Sequence, residues 1–229
     1  MNIEPIARFR SPLTSKFGIP RQGGLARELS GKIIFEKAYR HTEAVRGLEQ
    51  FSHLWLIWEF SANRHQTAGL TVRPPRLGGN ERVGVFASRS PFRPNGLGLT
   101  CVSIDHIERH PQLGPVIHVK GADLMDGTPI YDIKPYVNYA DSRPDAKSGF
   151  VDTVVWQPLE VEIPQEFSKY FSEQELIELH EILSFDPRPQ YHDDPLRVYG
   201  MPFAGRDIRF RVEDNCLHVI EVVNNTINA

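Results

Sequence analysis

The chain has 229 residues, 40% of them hydrophobic and 24% charged, the composition of a globular protein able to bury a core of its own. Twenty-six Lys and Arg stand against 29 Asp and Glu, a formal net charge of -3, which excludes a protein that grips nucleic acid through bulk positive charge alone. No 18-residue apolar run or signal-peptide apolar stretch occurs, and Cys101 and Cys216 alone make neither a disulfide framework nor a Cys-rich zinc or iron–sulfur site, so a cytoplasmic protein is expected.

The first two-thirds reads as short strands between turns. Pro20-Arg21-Gln22-Gly23-Gly24 sets a guanidinium and an amide beside two glycines, where backbone can approach a ligand or simply turn. Lys32–Glu36 is predicted as a strand. Phe51-Ser52-His53 then leads into Leu54–Phe60, a nearly continuous apolar run suited to a strand buried on both faces. Arg82–Ala87 and Leu97–Ile107 follow, with Val116–Lys120, Ile130–Ile133 and Thr153–Trp156 closing the series. Gly and Pro fill the gaps at 74–80, 90–98 and 126–129. Many short strands with little helical periodicity predict a mainly β fold, a β-barrel or sandwich over residues 1–160.

Residues 161–229 read as a small α+β C-terminal domain. Ser172 is placed as an N-cap, Glu175 closes a capping box, and Phe171 with Leu176 suits a hydrophobic staple. Leu176, Leu179 and Leu183 recur at helical spacing, with Ile177 and Ile182 widening the stripe. The helix is expected to stop before the Pro-rich stretch 185–195. Alternating Ile208, Phe210 and Val212, a turn at Asp214-Asn215, and Leu217–Val223 then predict a hairpin.

Charge is unevenly spread. Arg73, Arg76, Arg82, Arg89 and Arg93 fall between residues 73 and 97 with a single acid, Glu81, so this window carries +4 and the remainder -7. Neither GxGxxG nor GxxxxGK[ST] is present, and there is no GxSxG or HExxH. His41, His53 and His65 stand twelve apart, a spacing that gathers no metal ligands on one element, and no metal is expected. The Pro-stiffened loop Arg89–Gly96, the Asp126-Gly127-Thr128 turn and the stretch Asp132–Tyr136 hold the remaining functional side chains. From the residues alone the reading stops at a β-rich protein with a loop-built polar pocket.

PRQ at 20–22, AVRGLEQFSHLWLI at 44–57, the long run at 73–99, DLMDGTPIYDIKPYVNYADS at 123–142 and DPRPQY at 186–191 together resemble the TsaA-like family. The resemblance implies a β-barrel enzyme that uses S-adenosyl-L-methionine. It implies methylation of N6 of threonylcarbamoyladenosine next to the anticodon of threonine tRNA, and a homodimer. By the same resemblance, cofactor contacts fall on Pro20, Arg21, Gln22, His53, Arg89, Leu99, Asp126, Gly127 and Thr128. Alternation along an extended stretch puts Asp132, Lys134 and Tyr136 on one face. They are expected to meet the acceptor base, the competing reading being an Asp132–Lys134 pair with a framework role. The alternative function is a non-catalytic barrel that binds S-adenosylmethionine or RNA.

Overall fold

The computed structural model describes residues 2–63, 69–74, 81–153, 157–189 and 194–224. Strands β1 (Ala7–Arg10), β2 (Ser30–Phe35) and β3 (His53–Glu59) come first. Two short strands, β4 (Thr71–Val72) and β5 (Val83–Gly84), pair only with each other. The long β6 (Leu97–His110) then leads to β7 (Gly114–Lys120) and β8 (Pro129–Pro135). Antiparallel pairing closes six of these strands into a barrel in the order β1-β2-β7-β6-β3-β8.

Closure explains why β3 is not buried on both faces, as its apolar run suggests. Leu54, Leu56 and Trp58 point into the barrel core with Phe9, Ile33, Val102, Ile117 and Ile130. His53, Trp55 and Ile57 lie on the outer face and keep part of their surface. A barrel strand has a single inside, and the pleat sends every second residue out of it.

A short helix α1 (Asn138–Asp141) follows the barrel. Next come β9 (Glu160–Glu162), α2 (Gln165–Ser168) and α3 (Glu173–Ser184), then β10 (Tyr199–Phe203), β11 (Arg206–Glu213) and β12 (Cys216–Asn224). They form a sheet ordered β10-β11-β12-β9 with α3 beside it. The capping box at Ser172 and Glu175 is present in both directions. Asp214 and Asn215 turn β11 into β12 with φ of 47° and 64°, the left-handed pair that a two-residue hairpin favours. Ile177 departs from the expected stripe: it is 46% exposed, and Glu178 is buried instead.

The second core joins α3 and this sheet to Leu13, Ala26 and Leu29 from the N-terminal segment. The Glu181 carboxylate accepts the backbone amides of Arg27 and Glu28, both at 2.8 Å, and Gln174 Nε2 donates to the Glu28 carbonyl at 3.2 Å. The C-terminal segment therefore holds down the stretch between β1 and β2.

Two other expectations change. The strand at Arg82–Ala87 shrinks to β5, because Val85–Ala87 winds into a 3-10 turn held by Ser88 Oγ donating to the Val85 carbonyl. In place of a strand start at Thr153, Gly149–Thr153 is a 3-10 turn whose Asp152 carboxylate accepts the Ser148 amide, and 154–156 lie outside the described residues. No helix among the described residues is long and apolar enough to cross a membrane.

Candidate active site

The 20–24 loop comes to rest against Arg89. Arg89 Nη1 donates to Gln22 Oε1 at 2.8 Å, so two of the expected cofactor residues, 67 positions apart, touch directly. Arg21 Nη2 donates to the Asp186 carbonyl at 3.4 Å, and Arg188 braces that corner with two bonds to the Asp186 carboxylate. The DPRP segment thus fixes the guanidinium of a loop at the other end of the chain. Pro20 itself is buried beneath this loop.

Below the loop runs a polar relay that starts inside the barrel. Trp58 Nε1 donates to Thr100 Oγ1 at 3.0 Å, and Thr100 Oγ1 donates to Asp123 Oδ1 at 2.6 Å. The Gly23 amide also bonds Asp123. A Cβ on Gly23 would stand 2.4 Å from Thr100 Cγ2 and 3.3 Å from Asp123 Oδ1, so only glycine seats the loop this close. Desolvation pushes the Asp123 pKa above its ordinary value, outweighing hydrogen bonds from Thr100, its own amide and Gly23 and the nearby Arg89 charge. None of Trp58, Thr100 and Asp123 was singled out from sequence as a site residue. Thr100 reads there as a strand former and Asp123 as a turn former; only the tertiary contact joins them.

Beside Arg89 opens a groove of about 1350 Å³. Its described lining includes Arg21, Arg73, Arg82, Arg89 and Lys147, with no carboxylate. Phe86 and Phe92 also line it, and are 78% and 39% exposed. The basic window of the sequence reaches this groove only in part. Arg73 reaches the groove, Arg76 lies outside the described residues, and Arg93 turns back to donate to the Ser88 carbonyl at 3.1 Å. Arg93 thus braces the loop it belongs to.

A second group of expected residues lies on the outer face of β6-β3-β8. The register places Leu99, Ile57 and Asp132 in one row, and Cys101, Trp55 and Lys134 in the next. His53 follows beside Ser103, and the Tyr136 amide donates to the His53 carbonyl at 3.0 Å. The Tyr136 ring lies 6.0 Å from those of both His53 and Trp55. Asp132 and Lys134 form an ion pair of 3.0 Å, and Leu99 is 56% exposed. Alternation thus brings Asp132, Lys134 and Tyr136 to one face as expected, with the acid and the cation already paired.

The Asp126-Gly127-Thr128 turn is tied to the end of β1. Asp126 accepts the Ser11 amide at 3.1 Å and Arg10 Nη1 at 3.3 Å. Gly127 occupies φ +78°, and Thr128 is buried with Oγ1 donating to the Met125 carbonyl at 2.7 Å. One chain therefore presents the expected cofactor residues in three places, the groove edge, the outer sheet face and this turn. Among the described groove residues only Arg21, Gln22 and Arg89 belong to that set.

The chain is similar throughout to proteins of known family. Residues 8–142 match the tRNA-methyltransferase O N-terminal domain, and 156–225 match the TrmO C-terminal domain. The tRNA (adenine(37)-N6)-methyltransferase of Escherichia coli strain K12 is 37% identical over 219 residues, covering 92% of this chain and 93% of the relative. A Pseudomonas aeruginosa protein, whose name assigns it provisionally to the S-adenosylmethionine-dependent methyltransferases, is 37% identical over 216 residues, 91% of each chain. The crystal structure of TrmO from Pseudomonas aeruginosa superposes with a TM-score of 0.77 at 31% identity, covering 98% of this chain and 99% of that one.

Proposed function

This chain belongs to the tRNA-methyltransferase O family, and from that premise we propose how its residues carry out the family's methyl transfer. It is an S-adenosylmethionine-dependent methyltransferase that modifies N6 of threonylcarbamoyladenosine next to the anticodon of threonine tRNA. The observation that carries the assignment to this site is the groove whose described lining holds no carboxylate, with the Arg89–Gln22 pair at its edge.

The donors present fit the cofactor. Arg21 and Arg89 suit an amino-acid carboxylate, which guanidinium groups bind with forked geometry. Gln22, already oriented by Arg89, offers an amide to polar edges, and the Gly23 backbone lies close by. Bound S-adenosylmethionine supplies a methyl group on a sulfonium, activated without a metal or a covalent enzyme intermediate. The residues of this chain then have to align the acceptor nitrogen about 3 Å from the methyl carbon and keep water out. With the cofactor held by Arg21, Gln22 and Arg89, N6 would take that methyl with the sulfur–carbon electron pair left on sulfur, and the N6 proton would leave to Asp132 or solvent.

Single-stranded RNA is read by stacked bases and neutralised phosphates. The exposed Phe86 and Phe92 between Arg73, Arg82 and Lys147 offer both. Tyr136, beside His53 and Trp55, serves as a platform for the modified adenine. Lys134 stands by the threonyl carboxylate, exchanging its Asp132 partner for it, and frees Asp132 to accept from N6. Two copies packed through the outer face of β6-β3-β8 would bring the separated cofactor residues of both chains around one site, so a cytoplasmic homodimer is the working form. The barrel of residues 1–160 carries the chemistry, and 161–229 brace its N-terminal loop.

The test uses purified protein, tritiated S-adenosylmethionine and tRNA from a strain lacking this modification enzyme. Label is expected in the N6-methylated derivative of N6-threonylcarbamoyladenosine on nucleoside digestion, and to be lost with Arg89→Ala. Cofactor binding without transfer would instead favour a non-catalytic barrel.

A further inference from the structure

The parallel register of β9 and β12 sets Glu160 opposite Cys216 and Glu162 opposite His218. Alternate residues of a strand share a face. The thiol, the imidazole and the carboxylates therefore leave the sheet on one side, while Leu217 and Val219 are buried on the other. One ligand atom each from Glu162, Cys216 and His218 lie within 4.8 Å of one another. His218 Nδ1 is 2.8 Å from Glu162 Oε2. From this juxtaposition we propose that Glu162, Cys216 and His218 bind one divalent transition-metal cation, zinc by the chemistry of the donors, on the C-terminal sheet and apart from the groove.

Thiolate, imidazole and carboxylate are the three side-chain donors zinc takes, whereas calcium and magnesium take oxygen. Ligand atoms around a tetrahedral zinc stand about 3.3–3.7 Å apart, given bond lengths of about 2.0–2.3 Å. From the observed separations of up to 4.8 Å, closing the cluster takes an adjustment of about 1 Å. Two anionic donors offset the charge of a dication, and three protein ligands leave the fourth position to water.

The charges around Cys216 favour a cation. Across β11, Glu213 faces Cys216 and Arg211 faces His218, one charge of each sign, which leaves the neighbourhood acidic through Glu160 and Glu162. Zinc is bound by the thiolate and the neutral imidazole, so uptake strengthens as pH rises. Histidine spacing along the sequence gave no sign of this cluster, because strand pairing brings its members together from positions 162 and 216.

The full-length protein, stripped with a chelator, is titrated with Zn²⁺ against a chromophoric chelator and separately with Co²⁺. One equivalent per chain is expected, with a thiolate-to-cobalt charge-transfer band in the near ultraviolet. Cys216→Ser should abolish the band and weaken zinc by about 100-fold or more, the upper end of what losing even an outer partner costs. His218→Ala should weaken uptake too, whereas Cys101→Ser leaves both signals unchanged. Should Cys216→Ser fail to fold, zinc protection of Cys216 against alkylation in the unaltered protein gives the same answer. No saturable uptake, uptake that survives Cys216→Ser, or equal alkylation with and without zinc overturns the proposal.

Discussion

Asp123 holds a position where two needs conflict: it terminates the relay from Trp58 and Thr100, yet burial opposes its charge. A carboxyl whose folded pKa lies above its ordinary value of 3.8 contributes stability that is full below that value and is lost as pH rises through the folded pKa. Asp123→Asn keeps an oxygen for Thr100 and Gly23 and removes the titration. Its thermal midpoint should fall less than that of the unaltered protein between pH 4 and pH 8; parallel curves would show that Asp123 is not the source. Gly23→Ala tests the same corner by sterics. The added methyl must displace Thr100 or the loop, so a loss of about 1–3 kcal/mol is expected in urea unfolding, with weaker S-adenosylmethionine binding by calorimetry.

Among the elements, β8 and α3 carry opposite kinds of information. Just past β8, Tyr136→Ala should reduce single-turnover methyl transfer far more than cofactor affinity if, as proposed, the ring aligns the acceptor and does not hold the methyl donor. Equal losses in both would return Tyr136 to a framework role beside His53 and Trp55. On α3, Ser172→Ala removes a cap bonded in both directions and should cost about 1 kcal/mol of stability with methyl transfer unchanged. That cap was legible in the sequence because its partners are three residues apart. β1 was not, since four residues with Arg8 and Arg10 outward show only two apolar positions, Ala7 and Phe9. The outer-face alignment of Asp132, Lys134 and Tyr136 followed from strand period alone. Their neighbours Leu99, Trp55 and His53 required the register, which no local pattern encodes.

For the molecule as a whole, a net charge of -3 coexists with a groove whose described lining has five cations and no acid, so the positive charge is local, where the proposed RNA contact falls. Converting Arg73, Arg82 and Lys147 singly to Ala should each reduce the slope of log affinity against log salt by about 0.7–0.9 for tRNA. Unchanged slopes in all three would place the phosphates elsewhere. The second core has a consequence for how this protein is made. Leu13, Ala26 and Leu29 belong to a core built mainly from α3 and the sheet beside it. During synthesis at about 5–20 residues per second, the stretch from residue 29 to residue 173 takes roughly 7–30 s to emerge. For that interval the loop bearing Arg21 and Gln22 is tethered to apolar side chains with no partner. The part of the barrel half made among the first is thus among the last to be seated, and a nascent chain stalled before α3 would hold its Arg21–Gln22 loop still unanchored.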